Sequence, residues 1–212
     1  MATNDTATRQ SLLDAAEKLF VERGFNRASV RAITEAAGAN VASVNYHFGS
    51  KLELIKAVIA RRVAPLNAER LQRLAECQGS RDPRLEEVIR AFVEPAVNLP
   101  SGGAERETLA RLLGMAFSQP GPELRTVLLD LFGPVVDRFT AVLTSILPGS
   151  DSQQIFWRFH FMIGALSFTV ALGDLAQACS GGLCDPDDST QVSTELVGFL
   201  CAGFRSKTGD GG

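Results

Sequence analysis

Six consecutive residues, Ala42 to His47, bring together a serine, an asparagine, a histidine and the only tyrosine of this 212-residue chain. A hydroxyl, an amide, a phenol and an imidazole lie close together there, without the pairing of nucleophile and base that covalent catalysis needs. Val41, Val44 and Phe48 recur at helical spacing and predict an inward apolar stripe. That leaves Ala42, Ser43, Asn45, Tyr46 and His47 on the open side. A short helix with a small, polar and aromatic outer face, held by an apolar inner one, suits insertion into a DNA major groove.

The neighbouring elements must position that helix. Ser29 is a helix N-cap, its hydroxyl able to accept from an unpaired backbone N–H, and Val30, Ile33 and Ala37 form the stripe of the helix it opens. Gly38 ends that helix in a left-handed turn, and Asn40 caps the next. Upstream, residues 1–8 are expected to fray. A helix then runs from about Thr8 to Arg23 with Leu12, Leu13, Ala16, Leu19 and Phe20 inside, closed by Gly24 and Phe25. Ser50-Lys51-Leu52-Glu53 reads as a capping box opening a fourth helix with Leu52, Ile55, Val58, Ile59 and Val63 buried. That helix is the expected link between two domains, 1–62 and 63–212.

On these residues the chain resembles the TetR family of one-component transcriptional regulators. The matching pieces are Ala16-Glu17-Lys18-Leu19-Phe20-Val21-Glu22-Arg23-Gly24-Phe25, the helix from Ser29 to Gly38, and Val44-Asn45-Tyr46-His47-Phe48-Gly49-Ser50-Lys51. Arg111 to Gln119 and Phe156 to Ala165 are similar to the PsrA-type branch, associated with fatty-acid-responsive control. The resemblance implies an all-α fold, with an N-terminal helix-turn-helix DNA-binding domain and a C-terminal helical domain for ligand binding and dimerisation. It also implies that Ala42, Ser43 and Asn45 meet base edges, where Asn45 can pair with adenine N6 and N7 and small residues can touch a thymine methyl. Tyr46, His47 and Lys51, with Ser29 and Arg31, are then assigned to phosphates. Asn45 stands where the family commonly has an aromatic residue, so no known operator transfers to this chain. The structural alternatives are a helix-turn-helix used only for packing, a capping or packed His47, and a Lys51 that merely opens a helix.

Charge distribution agrees with a cationic head. The chain carries −3 overall, but residues 1–62 hold nine Lys or Arg against six Asp or Glu, and the remainder twelve against eighteen. Such asymmetry favours polyanions at one end, although ordinary variation between solvated faces produces the same figures. The cysteines, Cys77, Cys179, Cys184 and Cys201, form no CxxC pair, and with two histidines no zinc ligand set is apparent. No cofactor is called for. The start lacks a signal-peptide pattern, and Phe159 to Leu172 is too short and interrupted to span a bilayer. The expected compartment is the cytoplasm with reduced thiols, an oxidised Cys179–Cys184 pair being the alternative.

Breaks at 78–83, 98–103 and 119–122 bracket helices over about 83–97 and 105–118. A long helix, or two abutting ones, covers 123–147 around Gly133-Pro134. Others cover 152–178 and 190–205, separated by a Gly- and Asp-rich loop. Phe156, Phe159, Ile163, Leu166 and Val170, with Leu196, Phe199 and Phe204, offer apolar surface for a homodimer, or else belong to the intramolecular core. Phe92, Leu112, Leu113, Met115, Phe117, Leu128, Phe132, Phe139, Val142 and Met162 are candidates to line an effector pocket, with Arg111 or Arg158 orienting a carboxylate or phosphate. Ordinary core packing and surface ion pairs are their alternatives, and His160 reads as a core histidine. Nucleophile elbow, P-loop and dinucleotide fingerprint are all missing, which argues against an enzyme. The expected function is a repressor that binds a palindromic double-stranded DNA operator as a homodimer. A small apolar or acyl effector, such as a fatty acid or acyl-CoA, would release it. The alternative is a carrier or adaptor of the same fold that does not bind DNA.

Overall fold

The computed structural model describes residues 2–79, 82–99, 104–118 and 121–206. They form α1 (Ala2–Arg27), α2 (Val30–Ala36), α3 (Val41–Phe48), α4 (Lys51–Gly79), α5 (Leu85–Val97), α6 (Ala104–Ser118), α7 (Pro122–Ile146), α8 (Ser152–Ala171), α9 (Gly173–Cys179) and α10 (Ser189–Arg205). The fold is all-α, as the sequence implies. Parts of the expected breaks, at 80–81, 100–103 and 119–120, lie outside the described residues, as does Met1 of the expected frayed start.

Three elements differ from expectation. The first helix begins at Ala2 rather than near Thr8, with Asp5 in its first turn, where a carboxylate favours the helix dipole. The fourth continues through Pro65 to Gly79. Pro65 removes one internal hydrogen bond, but it faces solvent while Val63, Leu66 and Leu74 are buried. The long helix after Ser152 breaks at Leu172, where α8 gives way to α9 through a 74° bend. Tight packing accompanies that bend: a Cβ on Gly173 would fall 2.6 Å from Cβ of Pro186, so only glycine fits. By contrast, Gly133-Pro134 leaves α7 continuous.

The chain forms two compact units, Met1–Pro65 with Thr108–Leu131, and Leu66–Glu107 with Phe132–Gly212. The sequence reading assigns 63–212 to one body, whereas contacts group Thr108–Leu131 with the N-terminal helices. In the first unit, Leu12, Ala16, Phe20, Ile33, Val44, Leu54 and Val58 are wholly buried. Gly24 takes φ +81°, which lets Phe25 turn back edge-on to Phe20 at 5.3 Å. An ionic clamp ties α1 to α4. Arg61 meets Asp14 at 2.6 Å and Glu17 at 2.8 Å, while Arg62 grips both oxygens of Glu17.

In the second unit, Phe92 packs edge-on to Phe139 (5.2 Å) and Phe159 (5.0 Å) at the centre of the core. Arg70, almost wholly buried, lies 4.2 Å over the Phe92 ring and donates from Nε to the Phe92 carbonyl at 2.9 Å. Burial lowers its pKa to about 10. Pro95, without an N–H, sits in the turn that follows Phe92 and loosens the helical bonding there. Glu94 joins three helices, bonding Arg73 of α4, Arg90 of its own α5 and Ser193 of α10.

Candidate nucleic-acid interface

Two caps fix the reading head. Ser29 Oγ accepts from Ala32 N–H at 3.1 Å, and Asn40 Oδ1 accepts from Ser43 N–H at 2.9 Å. Between them Gly38 turns at φ +64°, a left-handed position that disfavours any side chain. Val44 is 0% exposed and anchors α3, whereas Tyr46 is 77% exposed and Ala42 and Asn45 also face outward. The helix thus presents amide, phenol and methyl groups to solvent.

Three expected placements need correction. Val41 is 51% exposed rather than inward, because it opens α3 directly after the extended Asn40 and projects beyond the packed part of the helix. His47 is not on the open side. Its side chain is only 7% exposed, with Nε2 3.6 Å from Asp5 Oδ1 and its ring edge-on to Tyr46 and Phe48. The reason is helical geometry: His47 lies three residues after Val44 and so shares its side. Ser43 is half-buried, and its hydroxyl already donates to Asn40 at 3.0 Å, leaving only its lone pairs.

The remaining predicted contacts spread over neighbouring elements. Arg31 is exposed and pairs with Glu35 at 2.9 Å, an exposed i,i+4 pair of little energetic weight. Phe48 is half-buried beneath Arg9, whose guanidinium lies 5.1 Å above the ring. Ser50 Oγ accepts from Glu53 N–H at 3.1 Å, the forward half of the predicted box. Lys51, the first residue of α4, borders a cleft of the first unit, and burial lowers its ammonium pKa.

The predicted effector-pocket residues are divided between the two units. Arg111, Leu113 and Phe117 belong to the first, and Phe92, Phe139, Arg158 and Met162 to the second. Phe92, Phe139 and Met162 are buried in the core cluster. Arg158 already has protein partners. Its guanidinium donates to the carbonyls of Phe204 (2.9 Å) and Ser206 (2.6 Å) and to Ser150 Oγ, closing the end of α10. His160 is exposed rather than buried.

The predicted dimer residues divide similarly. Phe159, Leu166, Leu196 and Phe204 are buried within the chain, while Phe156 and Phe199 face outward. Beside them stand Trp157, Phe161 and Phe168, which the sequence reading missed. The four-residue spacing of Trp157 and Phe161 was the available signal; their rings stack at 5.8 Å.

An N-terminal helix-turn-helix with an exposed reading face, followed by a separate helical unit, defines a DNA-binding regulator of the all-α class. Residues 12–58 match the model for bacterial regulatory proteins of the tetR family, and residues 90–203 the tetracyclin repressor-like C-terminal domain. The chain therefore belongs to the TetR family of transcriptional regulators. Over 62 residues it is 40% identical to the HTH-type transcriptional regulator SrpR of Pseudomonas putida, covering 29% of each chain. Over 86 residues it is 37% identical to the HTH-type transcriptional activator FasR of Mycolicibacterium smegmatis, covering 41% of this chain and 39% of that one. The match thus spans well under half the length of these relatives. The same fold occurs in the fatty acid degradation regulator FadR of Bacillus halodurans, with TM-score 0.67 and 16% identity over 94% of this chain and 97% of that one. It also occurs in FadR of Bacillus subtilis in complex with stearoyl-CoA, with TM-score 0.67 and 16% identity over 92% of this chain and 98% of that one.

Proposed function

We propose that this chain is a homodimeric, cytoplasmic repressor that binds a palindromic operator and leaves it when a small apolar or acyl molecule binds the second unit. The observation that carries the reading is the α3 face, where Tyr46 and Asn45 stand exposed beside Ala42 while Val44 holds the helix to α1 and α2. Among the described residues Asn45 makes no side-chain hydrogen bond or ion pair, and Tyr46 meets only the edge of His47. In this reading Asn45 takes an adenine edge, Ala42 a thymine methyl, and Tyr46, Ser29, Arg31 and Lys51 phosphates. Ser43 and His47 act mainly from behind, through Asn40 and Asp5. One such helix covers a few base pairs, so two heads about one helical turn apart are needed. The second copy seats on the exposed aromatic surface of α8 and α10. The acyl character of the effector is supported by the fold shared with FadR bound to stearoyl-CoA and by the aromatic core of the second unit. Only a difference in ligand affinity between DNA-competent and released shapes can drive the response.

Selection from randomised duplex DNA tests this. The expected product is an inverted repeat, which Asn45→Ala binds about 10-fold more weakly or worse, with relaxed preference at one position per half-site. Tyr46→Ala weakens all sequences alike, as loss of a phosphate contact should. Both variants stay dimeric. Failure to enrich any repeat, from protein shown to be folded and dimeric, would move the reading to a carrier or adaptor.

A further inference from the structure

The first unit contains a cleft of about 790 Å³, which shares only Lys51 with the proposed DNA contacts. Its walls come from the end of α1, the first turn of α4, the end of α6 and the start of α7. The volume lies within the range of small-molecule sites. Phe25, Leu52, Ile55, Met115 and Leu124 supply apolar lining, and Arg23, Arg27 and Lys51 supply positive charge against the one carboxylate of Glu123. Among the described residues none of these three cations has an ion-pair partner. That sets them apart from Lys56, Arg61 and Arg62 nearby, each of which meets a carboxylate. The shielding that lowers the Lys51 pKa is the effect of partial burial without a neutralising partner.

We propose that this cleft binds a small amphiphilic anion, with a carboxylate or phosphate group on Arg23, Arg27 and Lys51 and an apolar body against Leu52, Ile55 and Met115. Charge complementarity fixes the head group, and the apolar lining excludes a purely inorganic anion as the preferred ligand. Met115, one of the effector-pocket candidates, lines this cleft, but the site goes beyond the effector reading above because it lies wholly in the first unit and needs no cavity in the second. Lys51 and Leu52 open α4, which only Gly49 and Ser50 separate from α3. A ligand here therefore touches the element that follows the reading helix directly. Binding neutralises the cleft and adds to the packing of that turn.

The chain carries three methionines, which makes a site-resolved test simple. Met115 lines the cleft, its Sδ 3.8 Å from where a Cβ on Gly24 would lie, and Met162 is buried in the core of the second unit. Methyl-labelled methionine in the full chain is followed by NMR during titration with decanoate, decyl phosphate, decanol and inorganic phosphate. The expected result is a saturable shift of the Met115 methyl with either amphiphilic anion, and at least tenfold weaker effects with decanol and with inorganic phosphate. Preference between decanoate and decyl phosphate distinguishes the two sources of the anionic group. The exposed replacements Arg23→Gln and Arg27→Gln, combined, should weaken that binding about tenfold while leaving the Met162 signal of the free protein in place. An unmoved Met115 overturns the site, and a shift of Met162 alone would do so while leaving the second-unit effector reading intact. A Met115 shift that decanol reproduces, or that survives the arginine replacements undiminished, overturns it as well.

Discussion

Asn40 shows how much of the interface depends on one side chain that never needs to touch DNA. Its Oδ1 receives both the backbone N–H and the hydroxyl of Ser43, so it starts α3 and orients Ser43 together. Asn40→Ala should cost about 1 kcal/mol, within a usual range of about 0.5–2 for a lost N-cap. At this chain length that is a fall in Tm of about 2–4 °C. Thermal melting followed by circular dichroism checks this, and an unchanged Tm would remove the cap from the account. Tyr46 and His47 are adjacent in sequence yet opposite in fate, one open to solvent and one shielded. Their residue types do not reveal this; their phase on the helix relative to Val44 does.

At the scale of elements, the first unit depends on α1 and α4 staying in register. Glu17 is the shared partner of Arg61 and Arg62. Burial works to raise its pKa, but hydrogen bonds and charge from Arg62 and Arg61 outweigh this and hold it below the ordinary carboxylate value. A depressed carboxylate contributes stability above its unfolded pKa and loses it as pH falls through the lower folded value. Glu17→Gln should therefore melt below the parent protein at pH 7, and the gap should close progressively as the pH is taken below about 4. Melting curves between pH 3 and 7 for both proteins measure it. A gap that stays constant across that window would show that the ion pairs add nothing.

For the whole molecule, the exposed aromatic surface is the feature that a single chain leaves unsatisfied. Phe199 is 71% exposed and Trp157 54%, with Phe156, Phe161 and Phe168 on the same pair of helices, α8 and α10. Trp157, Phe161 and Phe199 border one open cleft, and monomers rarely leave such an aromatic patch in water. Among the described residues no single helix is long and apolar enough to cross a membrane, although α8 and α9 together, bent by 74°, reach that length and hydropathy; α8 also buries Ile155, Phe159, Met162 and Leu166 in the core. If the surface seats a second copy, Phe161→Asp with Phe199→Asp should raise the dimer Kd at least 100-fold, given about 1.5–3 kcal/mol for each buried phenylalanine. Sedimentation should then report a monomer. The fluorescence of Trp157, the only tryptophan, should shift to the red. A variant that stays dimeric with unshifted emission would place the interface elsewhere.

Local chemistry determined much of this protein from its sequence alone. Ser29, Gly38 and Asn40 dictated where α2 and α3 begin and end, because capping and positive φ depend on neighbours a few residues away. The stripe Leu12, Ala16, Phe20 identified the buried side of α1 for the same reason, and family motifs over residues 16–51 gave the class. Tertiary structure decided what those rules cannot reach. Whether Pro65 would end α4 depended on buried residues on either side of it, and the break at Leu172 goes with Pro186, thirteen residues beyond Gly173. Whether Phe92, Phe139 and Met162 line a cavity or fill a core, and whether Arg158 meets a ligand or the end of α10, depended on partners far along the chain, such as Phe159 for Phe92 and Phe204 for Arg158. Periodicity tells which side of a helix is apolar. Only packing tells what that side is pressed against, because burial is a property of the assembled surface and not of the segment.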